Sequence, residues 1–222
     1  LSPTERQRVL AALVAVQVMF AVHYPVTKVL LGSIDAPAWV ALRILSAAAI
    51  FLVLWSVGYR RRLAWTDHLK LAALSLFGVV LNVIGFVEGM ARTTPAHSSL
   101  IMTTVPVLAL LFAVLLRRER FRPKSATGIA LALAGVLVLL RVDELQVRAE
   151  WFLGDLLTQA NAVSFALFLV ISRNVIRRLG PVTATAGVLC WGSLGAALYG
   201  GDELARVDWA AVPDSVWPLA LY

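Results

Sequence analysis

The sequence predicts an all-α, polytopic membrane protein, a helical bundle. Three observations predict it. Hydrophobic residues fill 60% of the 222 positions and charged residues only 15%, whereas a soluble domain is about half apolar and about a quarter charged. The apolar residues are gathered into seven runs long enough, or nearly so, to cross a hydrocarbon layer. The basic residues form short clusters that alternate from one connecting segment to the next, which is how membrane topology is written in sequence.

The first run, 9–31, is longer than the apolar part of a secretion signal and ends without a small-residue cleavage site, so it reads as a spanning helix. Pro25 inside it predicts a kink. The short turn GSIDAP leads to a second span, 37–57, and Arg60, Arg61 and Arg62 separate that from a third, 68–90. The fourth, 95–116, contains Pro106, a second predicted kink. The fifth, 125–140, is short for a layer of ~30 Å, so residues 121–124 are expected to extend it. The sixth is 153–176 and the seventh 182–199. An eighth begins near Pro213 and stops with the chain in VWPLALY; the expectation is a fragment, cut at least at the C-terminus.

Charge sets the orientation. Arg6 and Arg8, then Arg60–Arg62 with Lys70, then Arg117, Arg118, Arg120, Arg122 and Lys124, then Arg173, Arg177 and Arg178 all fall on one side. The segments on the other side carry no basic residue, or Arg92 alone, or arginines opposed by acids. The positive-inside rule therefore puts the N-terminus of this multi-pass protein in the cytoplasm. A retinal protein or a G-protein-coupled receptor would have its N-terminus outside, and the seventh span has no lysine for a retinal. The net charge of +7 resides in these clusters rather than in a binding stripe, so no nucleic-acid partner is expected. The single cysteine, Cys190, excludes a disulfide framework and a cysteine metal pair.

An internal repeat follows from the order of the runs. The stretch from GDLLTQAN onward resembles the opening of the chain: a long span, a short turn ending in proline (Pro37, then Pro181), and an alanine-rich span. An odd number of spans separates the two copies, so the second must be inverted in the membrane, as in many transporters. The segments MARTTPAHSSLIMTTVPVLALLFAVLLRRERFRPKSATGIALALAGVLVLL and GDLLTQANAVSFALFLVISRNVIRRLGP carry a family resemblance. They resemble EamA-type members of the drug/metabolite transporter superfamily in Pro106 of the fourth span, Glu119 after it, and Gly128 and Gly135 in the fifth. The resemblance implies ten spans in two five-helix halves, of which about seven and a half are present. Residues 1–145 would form the first repeat and 146–222 the second, inverted and truncated. It also implies a secondary transporter that moves a small metabolite, amino acid or drug by alternating access, with export the expected direction and no cofactor. The bacterial inner membrane is the location expected with that reading. A homodimer is left open. The alternatives are a non-transporting membrane scaffold and a membrane-embedded enzyme. For the enzyme the chain offers no HExxH, paired acids or G-x-S-x-G, and for an ATP-driven pump no G-x-x-x-x-G-K loop.

Polar groups inside spans are costly and so point to function or to helix contacts. The candidates for substrate contact are Gln17, His23 and Tyr24 on the first span, Asn82 on the third, Thr103 on the fourth, Gln159 and Asn161 on the sixth, and Trp191 on the seventh. Gln17, Tyr24 and Lys28 share one helical stripe. Lys28 either lines the path or snorkels to the headgroups, and His23 is either a titratable site or a helix contact. Asn82 either bonds across helices or faces a cavity. Glu88 is expected to pair with Arg43 or Lys28, as a coupling site or as an interfacial ion pair. His97, Ser98, Ser99, Thr103 and Thr104 make the outer half of the fourth span polar, Asp155 falls at the outer interface, and Glu119 is read as structural. Glycine seams at spacings of three, four and seven on the third, fifth and seventh spans are expected to pack helices closely.

Overall fold

The computed structural model describes residues 3–59, 62–120, 122–139, 149–214 and 217–220. It is an all-α membrane protein, with no strand among the described residues. The helices are α1 (Pro3–Leu30), α2 (Ala36–Gly58), α3 (Trp65–Arg92), α4 (Pro95–Leu115), α5 (Pro123–Leu139), α6 (Phe152–Leu179), α7 (Pro181–Arg206) and a short α8 (Trp217–Ala220). Among the described residues six helices are long and apolar enough to cross a membrane; α5, with 17 residues, is the short one that the run length predicts. It does begin upstream, at Pro123. The anticipated eighth span is represented by α8 alone.

The two predicted prolines act differently. α1 remains helical through Pro25. Pro106 lacks the N–H that would bond the Met102 carbonyl, and α4 is accordingly made of two helices, Pro95–Met102 and Val105–Leu115. Thr103 and Thr104 sit at the break and return their hydroxyls to the Leu100 and Ile101 carbonyls at 2.6 and 2.7 Å. α3 carries an irregularity with no proline, a π-turn over Leu76–Val80. The Ser164 hydroxyl of α6 donates to the Phe77 carbonyl inside that turn at 2.7 Å, so a neighbouring helix supplies a partner to backbone that the π-turn displaces.

Lipid is as apolar as leucine, so close packing rather than burial from water must hold these helices together. Two antiparallel pairs do most of it. α2 runs along α7 for its whole length, and the fully buried Ala38 and Ala41 mark the side where α2 meets its neighbours. At one end Gly200 rests on the Pro37 carbonyl; at the other the Thr183 hydroxyl faces the Tyr59 carbonyl at 3.4 Å. α3 runs along α6, and here the predicted glycine seam is observed. A methyl on Gly89 would come within 3.0 Å of the Gly154 carbonyl oxygen, and one on Gly154 within 2.7 Å of the Arg92 carbonyl carbon. Gly192 and Gly195 of α7 abut Val79 and Val80 of the π-turn in the same way. The expectation fails on α5. Among the described residues nothing lies within 4 Å of where Gly128 or Gly135 would carry a side chain, and α5 is in substantial contact only with α4 among the described elements. Spacing put those glycines on one face, but that face is open.

The alternation of helix directions gathers the arginine-rich segments at one end, termed the basic end below. The turns after α1, α3 and α7 and the segment before α6 lie at the opposite end.

Candidate functional site

A cavity of about 860 Å³ lies between α1, α4, α5 and α6. The break in α4 forms one wall, with Ser99, Met102, Thr103, Val105 and Pro106. α1 contributes Gln17, Phe20, Ala21 and Tyr24, a stripe at helical spacing, and α6 contributes Phe165. The open face of α5, with Ser125, Gly128 and Ile129, completes it, so the missing side chain at Gly128 widens the cavity. Among the described residues no charged side chain lines this space. It offers one amide, a few hydroxyls and aromatic surface, which suits an uncharged or zwitterionic molecule with a large apolar part.

Of the residues singled out in the sequence, Gln17, Tyr24 and Thr103 are brought together here. Asn82 and Asn161 stand one layer behind. The Asn82 amide donates to Asn161 Oδ1 at 2.7 Å, joining α3 to α6, and the Asn161 amide faces the Met102 sulfur of the cavity wall at 3.5 Å. Asn161 is only 1% exposed, and of the two roles expected of Asn82 the helix-to-helix bond is the one observed. Gln159 is half-buried on α6 away from the lining. Trp191 is also elsewhere: it packs among α7 core residues with its ring edge-on to His68, centroids 6.2 Å apart.

The remaining candidates form contacts near the opposite end, and the pairing expected of them changes. His23 stacks on Phe86 with centroids 5.1 Å apart, and its Nε2 accepts from the Arg43 guanidinium at 2.9 Å. Lys28 donates to the carbonyls of Met90 and Thr93 at 2.7 and 2.8 Å. Those are unpaired carbonyls at the C-terminus of α3, where the helix dipole is negative, and they attract the ammonium. Glu88 therefore meets neither Arg43 nor Lys28. It takes the Arg92 guanidinium one turn along its own helix and the Tyr199 hydroxyl from α7.

A second cluster at this end escapes sequence reasoning. Asp155, in the first turn of α6, accepts from the Thr93 hydroxyl at 2.6 Å and from His97 Nδ1 at 3.0 Å. Trp151 sets its edge against the His97 ring at 5.1 Å, and the fully buried Ser98 and Thr158 hydroxyls lie 3.4 Å apart just beneath. The sequence places His97 and Asp155 at the same membrane depth, but only the helix register shows that they meet. At the basic end the described bonds between helices use exposed arginines. Arg178 reaches Asp67 on α3, and Arg173 reaches Glu119 at 2.9 Å. Glu119 thus braces α6 rather than the cations of its own turn. Among the described residues no group of three or more His, Cys, Asp or Glu side chains converges as a metal site would require.

Comparison with known proteins agrees with this architecture. Residues 7–141 match the EamA-like transporter family. An "Uncharacterized transporter" of Archaeoglobus fulgidus is 24% identical over 154 residues, covering 69% of this chain and 53% of the relative. "Uncharacterized transporter YyaM" of Bacillus subtilis is 23% identical over 206 residues, covering 87% of this chain and 65% of the relative. "Aromatic amino acid exporter YddG" of Ancylobacter novellus is 35% identical over a shorter stretch of 104 residues, 46% of this chain and 36% of the relative. A solved structure described only as that of a protein superposes with a TM-score of 0.65 at 21% identity, covering 95% of this chain and 73% of its own, which places the fold. The chain spans between about half and two thirds of the length of the first two relatives.

Proposed function

This chain belongs to the EamA-like transporter family, and from that premise we propose that it is the larger part of a secondary transporter that exports a small metabolite by alternating access. In this reading the basic end faces the cytoplasm of a bacterial cell, and the cavity between α1, α4, α5 and α6 is the substrate's place near the midplane. The observation that carries the reading is the uncharged cavity itself. Gln17 and Thr103 supply orienting polar atoms, and Phe20, Tyr24 and Phe165 supply aromatic surface. A cavity of this kind rejects a lone ion but accepts a zwitterion or neutral molecule whose apolar body stacks on the rings. The relative named for aromatic amino acid export makes those compounds the first to try.

The test is counterflow of labelled metabolites in proteoliposomes holding the full-length protein, beginning with tryptophan and phenylalanine and extending to other zwitterions. Wild type is expected to exchange at least one of them. Gln17→Ala combined with Thr103→Ala is expected to raise the half-saturating concentration about tenfold, the loss of one or two buried hydrogen bonds. Exchange unaffected by the double substitution, or by Phe165→Ala, would remove the cavity from the path.

A further inference from the structure

We propose that the cleft at the basic end between α3, the turn after α4 and the end of α6 binds the headgroup of an anionic phospholipid. The cleft has a volume of about 630 Å³, and cations reach it from three separate parts of the chain: Lys70, Arg118, and Arg177 with Arg178. Arg178 is engaged by Asp67. Lys70, Arg118 and Arg177 have no ion-pair partner among the described residues, and Arg177 donates to the neutral Asn174 at 3.3 Å. Asp67 is near Lys70 as well as Arg178, so the cations facing the hollow outnumber the one carboxylate described beside them. Like charges held together repel, and the arrangement favours an anion in their midst.

The wall below the cations decides which anion. Leu74 and Val175 are core residues, 4% and 9% exposed, and with Ala73 and Ile171 they continue the cleft as an apolar surface toward the membrane interior. A free phosphate would use the rim alone. A phospholipid uses both, with its phosphate on the guanidinium groups and the start of its acyl chains on the apolar wall. The backbone of the turn favours the same geometry. Arg117 adopts φ 52° and ends α4, and the amides of Arg118 and Glu119 both return to the Ala113 carbonyl, at 2.8 and 3.1 Å, which folds Arg118 back over the cleft. The positive-inside rule accounts for arginines at this end but not for their meeting in a hollow with an apolar floor. The site shares no lining residue with the central cavity, and lipid retention is read without reference to transport.

Native mass spectrometry of the full-length protein in detergent, with phosphatidylglycerol or phosphatidylcholine added at equal amounts, tests this. Wild type is expected to retain phosphatidylglycerol in preference. Arg118→Gln with Arg177→Gln is expected to lower that retention at least about fivefold, the scale of two cations removed from an anionic surface. The charge-conserving pair Arg118→Lys with Arg177→Lys keeps most of it and shows that the fold is intact. Arg6→Gln with Arg8→Gln, on the same side but outside the cleft, leaves it unchanged. Equal retention of the two lipids, or an equal loss in the Arg6 and Arg8 variant, overturns the site. Displacement of the lipid by millimolar inorganic phosphate overturns the lipid as its occupant.

Discussion

The two ends of the bundle are held by different means. At the end bearing Asp155, charged and polar side chains bind α1 to α3, α3 to α6 and α7, and α4 to α6, and several of the groups are buried: Thr93 is 3% exposed and His97 8%. At the basic end the corresponding pairs, Arg173 with Glu119 and Arg178 with the buried Asp67, use arginines that are about half or more exposed, and two clefts separate the helices. The second cleft, lined by Arg117, Arg173 and Arg177, shares Ser125 and Ile129 with the central cavity. The contrast teaches that where polar residues lie in the sequence says less than what they meet. One end is closed by buried pairs, while the other leads, through shared wall residues, toward the cavity.

That contrast sets the expected order of effects. The largest belongs to the α3–α6 seam beside the closed end. Gly154→Val forces side-chain atoms into the backbone at Arg92 and Thr93, and loss of folded protein in detergent is expected by size-exclusion chromatography. Next is Asp155→Ala, which leaves the buried Thr93 hydroxyl and His97 ring without their shared acceptor. A destabilisation of about 3 kcal/mol is expected from thermal or denaturant melts, since two buried donors lose one carboxylate acceptor. Asn82→Ala removes the amide bond to Asn161 and is expected to cost about 1 kcal/mol, within the range for hydrogen bonds between membrane helices. Arg173→Gln, at the basic end, removes an exposed pair and is expected to change stability by about 0.5 kcal/mol or less. If Arg173→Gln proved as damaging as Asp155→Ala, the distinction between the ends would fall.

Much of the fold is legible in the sequence because membranes impose strict lengths. Runs 37–57, 153–176 and 182–199 lie within the observed helices, and Pro106 marks a real break. The glycine seam of α3 is legible as well, because small residues at spacings of three and four have few other uses there. Partners are less legible. His97 and Asp155 lie 58 residues apart, and periodicity gives the face a residue occupies but not the helix that covers it. Gly128 and Gly135 show the same limit from the other side, since no described residue packs on either and Gly128 opens on the cavity. The π-turn in α3 has no signal of its own; Ser164, which satisfies it, is 87 residues away in the chain. Of the cavity, Gln17, Tyr24 and Thr103 were legible as polar atoms in spans, whereas Phe20 and Phe165 look like any lipid-facing aromatic until the helices are assembled.

The central claim is that the cavity is a substrate path open toward the basic end. It is tested most directly by placing a cysteine at Thr103 in the full-length protein with Cys190→Ser, and labelling it with a membrane-impermeant maleimide from either face. The account predicts rapid labelling in inside-out vesicles, slow labelling in intact cells, and protection by any metabolite that the protein exchanges. Labelling from the outer face alone, or from neither face, would contradict it.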